Sequence, residues 1–263
     1  MTELKHRMEI PEGSNLYLEL AKWDLITKMG PLLQNKTLNL RHDFKFDYSK
    51  AHPDPSTPWL FHRHTDRNCL LYHRVCFPIW GLIHSRCHEC WKIVAAPRTV
   101  SELFKMRDLQ IQLNYPCKCG MEGHRPNSDK LYGAYWYCNS LEEGQHRYKI
   151  VREAVSDAIS PDVPVILKRA CTEFEQKYVD STKWNINKDQ IDLETKLNEC
   201  FVLDIINHSQ THHQECHIKM SWIHSAFQWG DKTYLEFTGG TPLFAKLETY
   251  HDVNADIPAE AAV

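Results

Sequence analysis

The sequence predicts an α+β protein with a mixed sheet, packed helices and a cysteine-rich metal-binding insertion. Between residues 91 and 180, strand-like and helix-like segments alternate three times, which favours an α/β or α+β core. Hydrophobic residues make up 42% of the 263 residues and charged residues 25%, as in globular proteins. Seven of the ten cysteines lie between Cys69 and Cys138, so the candidate insertion falls within this core.

The chain before residue 91 is less regular. Ser14 is a suitable cap for a first helix, which Gly30 and Pro31 are expected to end. Apolar residues fall on even positions from Leu38 to Tyr48, which predicts a strand interrupted at His42. Three prolines then mark a rigid connection near residue 55. We therefore predict an N-terminal helix and strand region at 1–58, a cysteine-rich metal-binding α/β core at 59–180, and a histidine-rich region with a disordered tail at 181–263.

The core and the last third have recognisable element boundaries. Thr99 and Ser140 each stand three residues before a glutamate, the capping-box pattern of a helix start. The CKCG sequence after Pro116 is expected to be a turn. The remaining predicted elements are strands at Trp91–Ala95, Leu131–Cys138 and Val163–Leu167, a helix from Thr172, a helix over Ile191–Ile206, and an aromatic strand around Tyr234 and Phe237.

Two cysteine pairs predict a metal site. Cys87 and Cys90 have CxxC spacing, which lets two thiolates occupy two corners of a tetrahedron around zinc. Cys117 and Cys119 are the natural second half, although CxC spacing is less common and one of the two could be a bystander. The alternative is that these cysteines are buried free thiols. We predict structural zinc, with an iron–sulfur cluster as the alternative, because four thiolates suit both.

Further histidines and cysteines extend the set of candidate ligands. On a helix, His208 with His212 and His213 with His217 are i, i+4 pairs that could clamp an ion, although a solvated helix face is the favoured interpretation. The other candidates are His88, His124, Cys138 and Cys171.

Cys171 has three interpretations of its own. It follows Lys168 and Arg169 at a strand-to-helix junction, where positive charge would lower a thiol pKa. It could therefore be a reactive thiol, a remote metal ligand or a buried residue at the helix cap. The third of these is the most common situation, and the sequence favours it.

Charge is unevenly distributed along the chain. Residues 62–130 carry eleven Lys or Arg against six Asp or Glu, whereas residues 171–263 carry seven against fifteen. The basic segment is interleaved with aromatic residues, which favours an anionic partner such as nucleic acid. The leading functional hypothesis is a metal-binding protein with a structural zinc site, acting as a nucleic-acid or protein binding module. Adjacent acidic and basic segments that face each other are the alternative interpretation of the charges.

The enzymatic alternatives are an iron–sulfur redox protein and a metal-dependent hydrolase or nuclease using His62, His64 or His124. Residues 125–140, RPNSDKLYGAYWYCNS, resemble the C-terminal part of HNH-type nucleases, but the expected Asp-His pair is not at the matching place. Dinucleotide, P-loop and serine-nucleophile motifs are absent, so whether the protein is an enzyme stays open. The opening residues have no apolar signal region, and we expect a soluble cytoplasmic protein without a membrane partner.

Overall fold

The computed structural model describes residues 25–35, 38–42, 45–48, 57–63, 69, 72–80, 83–126, 128–177, 180–186, 188–201 and 210–244. The described helices are α1 Leu25–Gln34, α2 Phe77–Trp80, α3 Ser85–His88, α4 Val100–Leu113, α5 Leu141–Ala158, α6 Thr172–Lys177, α7 Lys188–Cys200 and α8 His212–Gln228. The described strands are β1 Leu38–Leu40, β2 Phe46–Tyr48, β3 Trp59–His62, β4 Trp91–Ala95, β5 Cys117–Met121, β6 Tyr132–Cys138 and β7 Val165–Arg169.

A five-stranded sheet organises the middle of the chain. Its order is β3-β5-β6-β4-β7, and every neighbouring pair is antiparallel. The predicted α+β class is therefore confirmed, whereas the predicted mixed sheet is wrong. Neither β3 nor β5 was predicted, and CKCG, which was expected to be a turn, lies in β5. In it, Cys117 and Cys119 are buried while Lys118 between them is partly exposed, which is the alternation of a strand with two different faces.

One face of this sheet carries the first hydrophobic core. Trp136 of β6 is fully buried, as are Leu103 of α4, Val151 of α5 and Trp222 of α8. The predicted caps at the starts of α4 and α5 are confirmed, because the Thr99 and Ser140 side chains accept backbone N–H bonds from Glu102 and Glu143.

A second hydrophobic core lies among α1, β1, β2, α2, α6 and α7. The strand predicted at 38–48 with an interruption at His42 is two short paired strands, with Leu38 opposite Tyr48. The predicted helix end at Pro31 is also wrong, since α1 continues to Gln34. The predicted start of that helix at Ser14 lies outside the described residues.

Two features of the last third differ from the sequence prediction. The aromatic segment around Tyr234 is a short 3-10 helix, Lys232–Phe237, instead of a strand. Asp231 caps it by accepting the backbone N–H of Thr233. The predicted helix over 191–206 corresponds to α7, which ends at Cys200. None of the helices in the described part of the chain has the length and apolarity needed to cross a membrane.

A buried carboxylate joins α7 to the segment that contains α3. Glu194 is 4% exposed and accepts the backbone N–H of Ser85 at 2.8 Å and the Gln190 side-chain amide at 2.8 Å. The Ser85 hydroxyl also donates to it. His84 Nε2 lies 3.6 Å away, and burial lowers the pKa of His84 more than this carboxylate raises it. These bonds compensate for the removal of a charge from water.

We expect Glu194→Gln to lower the free energy of unfolding by about 1–3 kcal/mol, because the amide replaces one acceptor oxygen by a donor that faces other donors. Urea denaturation followed by fluorescence would measure this. Glu199→Gln on the exposed side of the same helix is the matched control and should change little. Equal stability of the two variants would contradict the inferred role of the buried network.

Candidate functional site

The second face of the sheet is polar, and we call it the polar face. It is formed by Lys92, Lys118, Tyr135, Tyr137 and Lys168. Strand register aligns Lys118 with Tyr135, and aligns Lys92 with both Tyr137 and Lys168, so these side chains project to the same side. Three lysines on one sheet face are unusual in a buried region, and they point to a functional surface.

Cys171 lies at the edge of the polar face, where β7 passes into α6. The preceding residue, Ala170, has a φ of 48°, a left-handed conformation that costs a non-glycine residue about 1 kcal/mol. Its backbone N–H donates to the Cys90 carbonyl at 2.6 Å, which holds this turn against the start of β4. Cys171 is thereby positioned by the sheet and remains partly exposed.

Two basic side chains converge on the Cys171 sulfur. Lys92 Nζ lies 2.8 Å from Sγ, and His73 Nε2 lies 3.3 Å from it. Lys92 is 8% exposed, so its ammonium has little water to solvate it and depends on this contact. The His73 ring stacks on Phe174 of α6 with centroids 4.7 Å apart, which fixes its orientation toward the sulfur.

The electrostatics favour a thiolate at this position. Burial alone would raise the pKa of Cys171, but the Lys92 charge and the His73 hydrogen bond outweigh burial and lower the pKa to about 6. The effect is reciprocal: burial would lower the pKa of Lys92, but the Cys171 charge raises it well above its usual range. In contrast, burial raises the pKa of Cys76 and of Cys117 to about 12. Among these thiols, Cys171 is the one suited to nucleophilic chemistry near pH 7.

A cavity of about 180 Å³ begins one residue beyond Cys171: Thr172 and Glu173 line it, whereas Cys171 itself is not among its described lining residues. Arg125 crosses its wall, lying 3.4 Å from Glu122 and 2.5 Å from Glu173. Lys168 donates to the Thr172 hydroxyl at 2.7 Å on the side nearest Cys171. The described lining residues are Val94, Glu122, Arg125, Ser128, Asp129, Lys130, Tyr135, Ile166, Lys168, Thr172 and Glu173.

The four principal predicted zinc ligands lie in two places. Cys117 and Cys119 are on β5 and face the first core, whereas Cys87 is in the second core. Cys90 precedes β4 and is buried. In the described part of the chain, no group of three or more His, Cys, Asp or Glu side chains is arranged to hold a metal ion. The segment from Cys69 to Cys138 contributes three sheet strands, β4, β5 and β6, and its described residues do not form a separate insertion; the zinc site stays a prediction.

Of the other candidate ligands, Cys171 lies near Cys87: burial raises the pKa of Cys87, and the charges of Cys171 and Cys90 raise it further. The remaining candidates have other neighbours. His88 is buried beside Trp184, and burial lowers its pKa. Cys138 is buried at the end of β6. His124 is exposed with its ring 5.1 Å from Trp229.

The C-terminal histidines lie at the start of α8. His212 Nε2 is 3.5 Å from Cys216 Sγ, a contact one helical turn long on the exposed side of the helix. His213 and His217 are exposed on the same helix. The fourth predicted member, His208, lies outside the described residues, as does His64; His62 bonds Asn114 at 2.9 Å.

The sequence pointed to Cys171 and to Lys168 and Arg169 as its basic neighbours. Burial lowers the pKa of Lys168 and the nearby Cys171 charge opposes this, but the cation in contact with the sulfur is Lys92. The Arg169 guanidinium donates to backbone carbonyls of His88 and Ser181, and Lys168 bonds Thr172, so neither residue holds the sulfur. The lysine that does so is Lys92, which stands out as the single charge in the apolar strand WKIVA. His73 gave no signal, because its closeness to Cys171 spans 98 residues of chain.

Comparisons with protein-family models, with curated proteins and with solved structures find no match for this chain. A functional conclusion therefore depends on the arrangement of the residues themselves.

Proposed function

We propose that this protein is a cysteine-dependent enzyme that cleaves or transfers an acyl group through a covalent bond to Cys171. The observation that carries this proposal is the position of a partly exposed sulfur 2.8 Å from the Lys92 ammonium and 3.3 Å from His73. An activated thiol beside two basic groups is the usual composition of a nucleophilic site. The adjoining cavity provides room for a substrate.

The first step is attack by the Cys171 thiolate on a carbonyl carbon. A carbon–sulfur bond forms, the bond to the leaving group breaks, and the leaving group takes a proton from Lys92. Before the reaction, the thiolate stabilises the Lys92 charge. Once the sulfur is part of a neutral thioester this stabilisation is lost, so Lys92 can release its proton. Burial then favours the neutral amine.

The second step returns the site to its starting state. The neutral Lys92 amine takes a proton from water as that water attacks the thioester carbon. The carbon–sulfur bond breaks, the acid is released, and the thiolate and ammonium are formed again. His73 donates its Nε2 hydrogen to the sulfur, since a thiolate paired with an ammonium can only accept. It orients the nucleophile and stabilises its negative charge.

The test uses p-nitrophenyl acetate, a small reactive ester, with mass spectrometry of the intact and digested protein. We expect a burst of nitrophenol and an acetyl group on Cys171 that hydroxylamine removes. Cys171→Ser should lose both the burst and the label at this peptide. Cys216→Ser is the matched control, because Cys216 is exposed and also lies beside a histidine but has no lysine contact among the described residues. The same burst in Cys171→Ser would overturn the proposal.

The predicted structural zinc site can be tested on the same samples. Zinc held through Cys87 and Cys90 alone would leave Cys171 reactive, and Cys87→Ser would then lower stability without removing the burst. Zinc held through Cys171 would block acetylation until a chelator removed the metal, and that result would contradict a nucleophilic role. The predicted nucleic-acid partner of residues 62–130 stays a prediction, to be measured as salt-dependent binding.

A further inference from the structure

We propose that the cavity beside Cys171 binds the zwitterionic head of an α-amino acid whose side chain carries the acyl group. This inference deepens the proposed function and depends on it for the reaction, although binding itself can be measured separately. The proposal is based on the lining of the cavity, which contains both carboxylates and cationic side chains, not all of which form ion pairs with each other.

The described lining of the cavity includes three carboxylates and three cationic side chains, and two of the carboxylates share one guanidinium. Arg125 is shared between Glu122 and Glu173, at 3.4 and 2.5 Å, so one cation serves two anions. Glu122 is almost fully buried and also accepts the Tyr135 hydroxyl. Glu173 is more accessible, and although burial would raise its pKa, a backbone N–H bond and the Arg125 charge lower it. Glu173 is therefore an ionised acceptor for the ammonium group of a ligand.

Lys168 provides the opposite charge on the side nearest Cys171. Its Nζ donates to the neutral Thr172 hydroxyl at 2.7 Å, and the Glu175 carboxylate is 3.8 Å away. An ammonium has three N–H donors, so these contacts leave capacity for a ligand carboxylate. Burial lowers the pKa of Lys168, and a bound anion would favour its charged form.

The size and position of the cavity suit this ligand. A volume of about 180 Å³ is large enough for the six non-hydrogen atoms of an amino-acid head with its first side-chain carbon. Val94 lines the cavity, and Lys92 lies two residues along the same strand face, about 7 Å away. The reacting carbon must come within about 3–3.5 Å of the sulfur, and glutamine, whose side-chain carbonyl carbon lies three bonds from the α-carbon, can extend from the cavity toward Cys171.

Calorimetry on the Cys171→Ser variant would test binding without chemistry. The probes are L-glutamine, N-acetyl-L-glutamine without the ammonium, and L-glutamine α-amide without the carboxylate. We expect L-glutamine to bind, and each analogue to bind at least about tenfold more weakly, because each loses a charged hydrogen bond. Adding Glu173→Gln should weaken the binding of L-glutamine but not the binding of the acetylated analogue. Adding Lys168→Met should weaken the binding of L-glutamine but not the binding of the α-amide. Lys149→Met, an exposed lysine on α5, is the control for lost charge.

The outcomes separate this inference from the proposed function. Absence of L-glutamine binding, or equal binding of all three probes, would overturn the zwitterion site even if p-nitrophenyl acetate still acetylates Cys171. Selective binding of L-glutamine together with no acetylation would support the site and overturn the acyl-enzyme proposal. Selective binding that neither Glu173→Gln nor Lys168→Met alters would place the ligand elsewhere and overturn the inference.

Discussion

Replacing Lys92 with methionine is expected to raise the pKa of Cys171 from about 6 to its ordinary value of about 8.5 or higher. Methionine keeps the length and apolar stem of the lysine but removes the charge 2.8 Å from the sulfur. Burial then raises the pKa of Cys171 without the opposing charge of Lys92, and the contact with His73 is left to favour the thiolate. The substitution therefore makes Cys171 less acidic while changing the volume of side chain 92 little.

The expected size of the effect depends on pH. At pH 6 the thiolate fraction should fall from about one half to about 0.3%, which is more than a hundredfold. A more basic thiolate is intrinsically more nucleophilic, by about tenfold for this difference in pKa, so alkylation by iodoacetamide at pH 6 should slow only about tenfold. Above pH 9 Cys171 is a thiolate in both proteins, and the variant should react faster than the parent.

The measurement is the pH profile of Cys171 alkylation, with thiolate absorbance in the ultraviolet as an independent titration. Lys168→Met is the matched control: Lys168 is the register partner of Lys92 on the polar face, but its amine contacts Thr172 instead of the sulfur. Its midpoint should rise less than that of Lys92→Met, because Lys168 adds charge near Cys171 without contacting the sulfur. An unchanged midpoint in Lys92→Met would contradict both the pairing and the role of Lys92 as proton donor.

The parts of the fold that the sequence predicted correctly are those with local signals. Thr99 and Ser140 mark the starts of their helices, because each side chain accepts a hydrogen bond from the backbone N–H three residues later. The β5 strand was missed because its sequence is read locally as a turn, whereas its pairing with β3 and β6 uses residues far along the chain. Local chemistry specifies caps, but sheet order depends on contacts that no short pattern encodes.

The same difference between local signals and long-range contacts applies to the candidate site. Cys171 could be recognised as chemically interesting from its junction between strand and helix. Its partners could not, because Lys92 and His73 lie 79 and 98 residues away along the chain. Of the two nearby basic residues, Arg169 was misleading, since strand alternation sends its side chain to the opposite face from Lys168. A lysine within an apolar strand was the one signal that pattern reasoning could have used.

The fold depends most sharply on Gly120, where β5 passes β3. A Cβ at this position would lie 2.1 Å from the Pro58 carbonyl oxygen, well inside the contact distance, and the obstacle is backbone that cannot rotate away. The same oxygen accepts the Trp222 indole N–H at 2.8 Å and so connects α8 to the sheet edge. Trp222 is fully buried in the first core. Moving Pro58 would therefore disturb the edge pairing, this bond and the packing of α8 together.

Gly120→Ala is accordingly expected to destabilise the protein by about 3 kcal/mol or more, at the upper end of overpacking substitutions. Gly144→Ala is the matched control, since its Cβ would meet only the flexible end of Leu167 at 2.9 Å, and alanine is favoured over glycine by about 1 kcal/mol within a helix. Urea denaturation of both variants should give a large loss for Gly120→Ala and a change near zero for Gly144→Ala. Similar midpoints would show that β3 is not held against β5 as closely as the 2.1 Å approach requires.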